Sequence, residues 1–370
     1  MMNENYKVSI ITVVYNGAKT IEQTIQSVLN QTYENIEYIV IDGASNDGTQ
    51  ALVEKYVDNI SYYISEKDNG LYYAMNKGIR KATGDIIGII NSDDWYGENA
   101  IKDIVDHFRE NDVDLVYGQM ITISENEKEN INRKIPLEHI WYQMALPHPT
   151  VFVKKDVYDK MGLFDVRYRL AADYELLLRF YSGDVRFGYI DKVITYFRRG
   201  GLSTKRKKEI YCEGYEISMS YIDKCPNKDQ MVLKIKDTYD WACFNMDVLN
   251  VKGALGKLIC EYFHKTIATI LIFGTGVCAE QCFENLSDSG VKILYFIDND
   301  IMKCNIDFHG IKVISFNELQ YIDIPVLIAV KEYGEDIKKQ LVNRDGGKLK
   351  CVSIKELELV YLTKFGTYTN

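Results

Sequence analysis

The sequence predicts an α/β protein made of two sheet domains with a helical stretch between them. Short β-branched runs alternate with helical periodicity from Val8 to about Tyr117, a pattern typical of a parallel sheet covered by helices. A second strand–helix cycle begins at Ile267. Between them the composition is helical, with one break at Cys225-Pro226-Asn227. We therefore expect an N-terminal α/β domain over 1–204, a helical connector over 205–265 and a small α/β domain over 266–370.

Composition excludes several classes of protein. The chain has 370 residues, too many for one typical domain, and a formal net charge of −9, which argues against a nucleic-acid partner. No apolar run approaches the roughly 20 residues that span a bilayer, and the polar N-terminus does not resemble a signal peptide. Eight cysteines without a CxxC pair fit reduced thiols. We expect a cytoplasmic protein; contact with the inner face of the membrane and homo-oligomerisation stay open.

The N-terminal elements follow strand–helix order. Predicted strands cover Val8–Val14, Ile36–Ile41, Ile60–Ile64, Ile86–Ile90 and Leu115–Tyr117, and predicted helices cover Lys19–Asn30, Thr49–Tyr56, Leu71–Lys81 and Asn99–Arg109. The pattern then loosens into a polar excursion or hairpin over Ile121–Lys134, an irregular loop over Trp141–Thr150, a helix over Asp173–Tyr181 and strands near Arg186–Ile190 and Val193–Phe197. We expect a largely parallel sheet with helices on both faces.

An acidic turn directly follows the apolar strand Ile86–Ile90. Its sequence, NSDDW, places Asp93 and Asp94 at the carboxyl end of that strand, where open α/β sheets bind ligands. Paired carboxylates suit a hard divalent cation that neutralises a diphosphate. A solvated acidic turn is the alternative for this pair taken alone.

Three further polar clusters follow predicted strands. Tyr15 and Asn16 end the first strand and could stack on and hydrogen-bond a planar base, or form a simple turn. Asp42 ends the second strand and could accept from a pyrimidine imide, whereas Asp47 nearby favours a helix cap. Asp68, followed by Asn76 and Lys77, could hold a nucleoside and its phosphate, or belong to a charged surface loop.

Farther along the chain, Asp173 opens a helix after a long irregular segment. A carboxylate at such a position can cap the helix. It can also face a cleft and act as a general base.

Six segments in order, TVVYNG, IDGASNDGT, EKDNGLYYAMNKGI, NSDDW, HPTVF and AADYELLLR, resemble an inverting family 2 glycosyltransferase with the GT-A fold. The resemblance covers about Lys7 to Ser203. Two positions depart from the family pattern. Asn91 stands where the first aspartate of the usual Asp-x-Asp is expected, so the metal site would rely on Asp93 and Asp94. Ala172 stands where Glu is frequent, which affects acceptor contacts more than the base.

The resemblance implies a role for each matching residue. Asp173 would be the catalytic base, and Asp93 and Asp94 would hold Mg²⁺ or Mn²⁺ on the donor diphosphate. Contacts to the donor nucleotide would come from Thr12, Tyr15, Asn16, Asp42, Asp68, Asn76, Lys77, Ser92 and Asp93. The cleft between donor and acceptor would be lined by Trp95, His148, Arg198 and Arg199. The segment Phe197–Ser203 would close over the donor.

The implied activity is transfer of a sugar from a nucleotide-sugar donor, a UDP-sugar by resemblance, to a hydroxyl of a glycan or lipid-linked acceptor. The product would belong to a bacterial surface polysaccharide or glycoconjugate. A single displacement would invert the anomeric centre. A non-catalytic scaffold that keeps the fold is an alternative.

The C-terminal part carries a second motif. Gly274 and Gly276 fit G-x-G-x-x-A between a strand and a helix, and Asp298 follows the next strand, 24 residues after Gly274 (298 − 274). This segment resembles small Rossmann-like domains appended to bacterial sugar-modifying enzymes. A second nucleotide site is one interpretation, and a docking or dimerisation domain is the favoured alternative. An NAD(P)-dependent sugar-modifying oxidoreductase centred on this motif is the competing function.

Overall fold

The computed structural model describes residues 5–124, 129–132, 134–201, 206–320 and 323–365. Its contacts divide the chain into two compact units, Met1–Ile235 and Lys236–Asn370. The helices of the predicted connector are therefore shared between the two units, because the division falls within a helix that runs from Lys228 to Phe244. The boundaries at 204 and 265 stay predictions.

The first unit is built on a nine-stranded sheet. Its strands are β1 (Val8–Val14), β2 (Ile36–Asp42), β3 (Tyr62–Ser65), β4 (Ile86–Asn91), β5 (Trp95–Tyr96), β6 (Leu115–Ile123), β7 (Glu129–Ile131), β8 (Phe152–Lys154) and β9 (Phe187–Arg198). They lie in the order β3-β2-β1-β4-β8-β6-β9-β5, with β7 beside β6. The β3-β2-β1-β4 half is parallel, and its carboxyl ends carry the predicted clusters.

The other half of this sheet differs from the prediction of a largely parallel sheet. β8 runs antiparallel to both β4 and β6, while β9 is parallel to β6. The two strands expected at Arg186–Ile190 and Val193–Phe197 are one strand, β9, whose pairing with β6 shifts register near Gly118. The hairpin expected near Ile121–Lys134 is confirmed by the antiparallel pairing of β6 with β7.

Eight helices of the described chain accompany this sheet. They are α1 (Ile21–Leu29), α2 (Thr49–Glu54), α3 (Leu71–Lys81), α4 (Ala100–Glu110), α5 (Lys155–Met161), α6 (Ala172–Tyr181), α7 (Lys207–Ser220) and α8 (Lys228–Phe244), the last running into the second unit. Every residue of β1 is buried, as expected of a central parallel strand. Helix α3 packs tightly against β1, where a Cβ added to Gly78 would lie 2.4 Å from Ile11 Cγ2. Only glycine permits this packing.

The second unit contains a smaller sheet. Its strands are β10 (Thr269–Phe273), β11 (Lys292–Asp298), β12 (Asp307–Phe308), β13 (Ile311–Ser315), β14 (Val326–Ile328) and β15 (Cys351–Ser353), in the order β12-β13-β11-β10-β14-β15. All neighbours are parallel except the β12–β13 hairpin. Helices α9 (Ala254–Tyr262), α10 (Val277–Ser287), α11 (Gly334–Asp345) and α12 (Ile354–Phe365) accompany it. Its core clusters include the buried Phe296, Leu327 and Val352.

Among the described residues, no helix combines the length and the apolar character that crossing a bilayer requires.

Candidate functional site

The turn after β4 contains buried oxygen atoms without hydrogen-bond partners. Asp94 is fully buried, and its Oδ1 accepts a hydrogen bond from the backbone N–H of Arg198 at 3.0 Å. Its Oδ2 and the Oδ1 of Asn91 have no hydrogen-bond partner among the described residues, although the Asn91 side chain lies near enough to Asp94 to lower the pKa of that carboxyl group. A buried polar oxygen without a hydrogen-bond partner raises the free energy of the folded state. These two oxygens therefore mark the turn as a candidate ligand site.

The two carboxyl groups of this turn resist ionisation. Burial raises the pKa of Asp93, against the opposing charge of Arg198. Burial also raises the pKa of Asp94 well above its usual value, and the neighbouring charge of Asp93 acts in the same direction. Two adjacent carboxylates in such surroundings favour a cation beside them.

The segment that follows β9 packs over this turn. The guanidinium of Arg198 lies 5.2 Å from the ring centroid of Trp95, donates to Gln23 Oε1 at 2.8 Å, and has its Nε 3.4 Å from the carbonyl oxygen of Asp93. Trp95 stacks on Tyr196 with centroids 5.3 Å apart. A Cβ on Gly201 would lie 3.4 Å from Asp93 Oδ2.

Arg199 is exposed, and its backbone N–H donates to Ile123. Leu202 and Ser203, the end of the predicted closing segment, lie outside the described residues. Only the part up to Gly201 is therefore placed against the acidic turn.

The loops after β1 and β2 are hydrogen-bonded to one another. The backbone N–H of Asn16, a residue with a left-handed φ of 54°, donates to Ser45 Oγ at 2.7 Å, and Asn16 Oδ1 accepts from Asn46 N–H at 3.0 Å. Tyr15 is 69% exposed, with its ring above Gly43. This pair of loops offers an exposed aromatic face beside the acidic turn, since Ser92 Oγ lies 3.0 Å from where a Cβ on Gly17 would be.

Asp42 is fully buried at the end of β2. Its oxygens accept hydrogen bonds from the backbone N–H and hydroxyl of Ser45 and from Ser65 Oγ at 2.5 Å. A direct bond to a base would require one of these hydroxyls to turn away. In this structure Asp42 holds the loops that surround the site.

Two other predicted donor contacts are packing residues here. Thr12 is fully buried, with its hydroxyl 3.1 Å from that of Tyr38. Asn76 is buried, and both ends of its amide bind the backbone of Phe164, at 2.9 and 3.0 Å. Because the polar atoms of both side chains are already hydrogen-bonded within the protein, we do not retain Thr12 or Asn76 among the proposed donor contacts.

A cleft of about 260 Å³ lies beside α3, lined by Lys67, Asp68, Asn69, Tyr73, Lys77, Arg80 and Lys81. Within it, Lys77 forms ion pairs with Asp68 at 2.7 Å and Glu66 at 2.6 Å. Burial alone would lower the pKa of Lys77, but these two carboxylates outweigh it and raise the pKa. Asp68 Oδ2 is buried without a partner in the described structure, so it can still accept from a ligand.

Asp173 occupies the second position of α6, whose N-cap is Ala171. Asp173 is therefore not the N-cap, which was the alternative from sequence. Its Oδ1 lies 3.0 Å from the hydroxyl of Tyr72 and accepts from Tyr174 N–H at 3.0 Å. Burial raises the pKa of Tyr72 well above its usual value, and the charge of Asp173 adds to that effect. Tyr72 thus stays a neutral donor toward the carboxylate.

His148 lies close to this carboxylate. Burial lowers the pKa of His148, and the negative charge of Asp173 opposes that shift. The imidazole packs edge-on to Phe164 at 5.6 Å, and Phe164 contacts Tyr72 at 5.3 Å. The turn His148–Thr150 is anchored to the sheet, since Thr195 donates to the carbonyl oxygen of Pro149 at 2.8 Å. His148 therefore connects the surroundings of Asp173 with β9.

The structure brings the predicted residues together in two groups. Asn16 and Asp42, with Ser92 and Asp93, are joined by contacts at the carboxyl ends of β1, β2 and β4. Asp173 and His148 form the second group, which Tyr72 connects to α3, and α3 also carries Lys77. Several residues that hold these groups in place were not predicted from the sequence. They are Gln23, Ser45, Ser65, Tyr72 and Glu213, the last through hydrogen bonds from the backbone that leads into Asp173. Tyr72 lies within the EKDNGLYYAMNKGI segment, whereas nothing in the local sequence marks Glu213.

In the G-x-G-x-x-A segment predicted as a second nucleotide site, the carboxylate of Asp298 is already hydrogen-bonded within the protein. Gly274 has φ 108° and is tightly packed against Val330 and Ala329. Asp298 accepts from Thr275 Oγ1 at 2.5 Å and from the backbone N–H of Asp300 at 2.9 Å. A Cβ on Gly276 would meet open space.

The mixed sheet of the first unit, with the acidic turn at the end of β4, defines a GT-A fold. The family model for glycosyl transferase family 2 matches residues 9–168, and a C2185-like N-terminal model matches residues 266–350. A glycosyltransferase of Rickettsia typhi is 30% identical over 244 residues, covering 61% of this chain and 74% of its own. The chain belongs to glycosyltransferase family 2.

Solved structures share this fold. TarS of S. aureus matches with a TM-score of 0.55 and 20% identity over 68% of this chain; the chain spans about half of TarS, 48% of its length. Residues 1–349 of TarS in complex with UDP match with a TM-score of 0.54 and 21% identity, covering 68% of this chain and 79% of that one. A mannosyltransferase of Pyrobaculum calidifontis, in complex with GDP-Man and Mn²⁺, matches with a TM-score of 0.55 and 16% identity, covering 72% and 77%.

Proposed function

We propose that this glycosyltransferase moves a sugar from a UDP-sugar to a hydroxyl of a glycan or lipid-linked acceptor, with inversion at the anomeric carbon. The observation that carries the proposal is the pair of unsatisfied buried oxygens on Asn91 and Asp94, in the turn that also contains Asp93. The UDP bound to residues 1–349 of TarS supports the choice of donor.

A divalent cation, Mg²⁺ or Mn²⁺, fits the chemistry of this turn. Asp93 and Asp94 would hold it, and the carbonyl-type oxygen of Asn91 is a suitable further ligand. Among the described residues no group of three His, Cys, Asp or Glu side chains could hold a metal alone, which fits an ion that shares its ligands with the donor. Such an ion supplies charge neutralisation for the leaving diphosphate.

The remaining roles belong to the side chains of this chain. The exposed ring of Tyr15 offers a stacking face for the base, and Asp68 an acceptor for the nucleoside. Arg198 provides a positive charge next to the acidic turn, and Trp95 a wall beside it. Asp173 removes the proton from the attacking hydroxyl as general base, with Tyr72 fixing its orientation through the 3.0 Å contact.

The direct test begins with a panel of nucleotide sugars, each with Mg²⁺ or Mn²⁺, scored by thermal stabilisation. The donors that stabilise the protein are then incubated with glycan and lipid-linked acceptors, and UDP release is measured. In the best pair, Asp173→Asn should reduce transfer by about 1,000-fold or more without weakening UDP binding. Asp156→Asn, the same change at a solvent-exposed carboxylate of α5, serves as the control. Transfer by Asp173→Asn at the rate of the control would contradict the assignment of the base.

For the second unit, we propose a Rossmann-like fold that does not bind a dinucleotide. The parallel order of β13-β11-β10-β14-β15 supports the fold, and the internal satisfaction of Asp298 supports the lack of a ribose contact. Fluorescence titration with NADH and with UDP separates this from the oxidoreductase alternative. Tight NADH binding without UDP binding would favour the oxidoreductase.

A further inference from the structure

Glu213, on α7, accepts hydrogen bonds from three successive backbone N–H groups. Arg169 donates to its Oε1 at 3.0 Å, and Leu170 and Ala171 donate to its Oε2 at 2.8 and 2.9 Å. These are the last three N–H groups before α6, and the N-cap, Ala171, has no polar side chain. A carboxylate here satisfies donors that would otherwise be unpaired and faces the positive end of the helix dipole.

The segment that Glu213 holds is the one that leads into Asp173. Leu170 donates its N–H to Glu213, while its carbonyl oxygen lies 3.1 Å from the hydroxyl of Tyr72. The same hydroxyl lies 3.0 Å from Asp173 Oδ1. Glu213 and Asp173 are therefore linked through one peptide segment and one phenol.

Two other contacts join α7 and the residues after it to α6. Ser218 Oγ lies 2.8 Å from the hydroxyl of Tyr174, and the hydroxyl of Tyr221 donates to Glu175 Oε1 at 2.5 Å. These contacts are made along α6 itself, whereas Glu213 binds the backbone that precedes it. Glu213 is thus placed to set the position of the first turn.

We infer that Glu213 is a positioning residue for the general base: it fixes the backbone of 169–171 so that the Asp173 carboxylate is presented to the acceptor hydroxyl. This inference rests on the proposed function, which assigns the base role to Asp173. A base displaced by about 1 Å can lose about 100-fold in rate, so a carboxylate that does not touch substrate can govern turnover.

The test measures kcat and donor KM separately in Glu213→Gln, with the donor–acceptor pair identified by the screen. Glutamine keeps the side-chain length but removes the charge and turns an N–H₂ toward N–H donors. We expect kcat to fall about 100-fold while donor KM and the Kd for UDP stay within about twofold. Glu216→Gln, the same change at an exposed position less than one turn away on α7, should match wild type.

Two further variants separate positioning from general destabilisation. Glu213→Asp retains the charge and should restore part of the lost kcat. If Glu213→Gln is not folded at the assay temperature by circular dichroism, the same split between kcat and KM is determined from Glu213→Asp. In the double variant Glu213→Gln/Asp173→Asn, transfer should be no slower than in Asp173→Asn alone, because Glu213 acts through Asp173.

Three results would overturn the inference: kcat of Glu213→Gln within twofold of the control, loss of UDP binding in parallel with kcat, or additive losses in the double variant. Each leaves the proposed function standing if Asp173→Asn is inactive. Retained transfer by Asp173→Asn would instead remove the proposed base.

Discussion

We call the side of the N-terminal sheet where its parallel strands begin the amino edge, and the side where they end the carboxyl edge. Buried acidic groups have opposite surroundings at these two edges. At the amino edge, Glu37 accepts from Lys7 Nζ, Ser9 Oγ and both donors of Thr83, at 2.5–2.8 Å. Burial alone would raise the pKa of Glu37, but these donors lower it to about 2. At the carboxyl edge, burial raises the pKa of Asp93 and Asp94, and Asp94 Oδ2 has no partner among described residues.

The difference indicates that the amino edge of this sheet contributes to stability and that the carboxyl edge is arranged for binding. A buried carboxylate with all its donors supplied contributes to folding, whereas one left partly unsatisfied lowers stability until a ligand binds. The orphaned oxygens therefore indicate where the chain gives up stability for binding.

The largest expected effect is at the carboxyl edge. Asp93→Asn should reduce transfer by about 100- to 1,000-fold, because it removes a carboxylate proposed to act on the charge that develops on the leaving diphosphate. The same variant should unfold at or above the wild-type temperature, since burial already disfavours the charged form. Initial rates and thermal unfolding, with the exposed Asp58→Asn as control, test both statements. If Asp93→Asn lost as much free energy of unfolding as it lost transition-state stabilisation, the proposed difference between the two edges would be wrong.

The amino edge should behave in the opposite way. The hydrogen bonds that lower the pKa of Glu37 from 4.5 to about 2 stabilise its charged form at neutral pH, by about 1–2 kcal/mol once screening at the part-exposed Lys7 is included. Glu37→Gln should lose about that free energy of unfolding in urea titrations while its kcat remains close to wild type. A variant with normal stability would show that the four hydrogen bonds contribute little.

The stabilising effect of Glu37 should depend on pH with a definite sign. Because its folded-state pKa is depressed, the contribution is present above pH 4.5 and is lost as pH falls from 4.5 toward 2. The difference in unfolding free energy between wild type and Glu37→Gln should therefore shrink across this window. The pair of urea curves at successive pH values measures it, and a constant difference would assign the effect to packing instead.

Metal addition tests the same contrast by measuring how much a bound cation stabilises the protein at the carboxyl edge. With UDP present, Mn²⁺ at a concentration 100 times its Kd should stabilise the wild-type protein by about 2.7 kcal/mol beyond UDP alone. Glu37→Gln should gain as much as wild type, whereas Asp93→Asn should gain little. Thermal unfolding with Mn²⁺ and after chelation provides the measurement. Equal stabilisation of all three proteins would place the ion elsewhere.

The smallest expected effect concerns the loop that packs on the acidic turn. A methyl group on Gly17 would lie 2.7 Å from Val14 Cγ2 and 3.0 Å from Ser92 Oγ, so it must displace one of them. Gly17→Ala should cost about 1–3 kcal/mol of stability and weaken UDP binding. Gly334→Ala, where an added Cβ would make only ordinary contacts, the nearest at 3.4 Å to Ser353 Cβ, is the control for loss of a glycine without a clash. Equal UDP affinity in both variants would remove the loop from the site.

The parallel half of the sheet could be predicted from the sequence because buried parallel strands are largely apolar runs rich in Val and Ile. β1 matches the predicted Val8–Val14, and β4 ends one residue beyond the predicted Ile90. The antiparallel insertion of β8 between β4 and β6 could not be predicted, since a three-residue strand has no periodicity of its own.

The candidate site also contains residues that could be predicted from the sequence and residues that could not. Asp93 and Asp94 are found from the strand that precedes them, and Asp173 from the helix that it opens. Asn76 shows where sequence fails, because the residue type of an amide does not reveal that Phe164, 88 positions away, takes both its ends. Glu213 was missed for the same reason: its partners are 42–44 positions away and are backbone groups.

One consequence follows from the way α3 is built. Its faces contact Asp173 through Tyr72 and Asp68 through Lys77, while Gly78 presses on Ile11 of β1. A one-residue insertion within Leu71–Lys81 would turn everything beyond it by about 100°. Such an insertion would put the helix out of phase and uncouple Tyr72 from Lys77, although no residue named in the reaction would have changed. The length of this helix between Tyr72 and Gly78 is therefore constrained by the contacts that its different faces make.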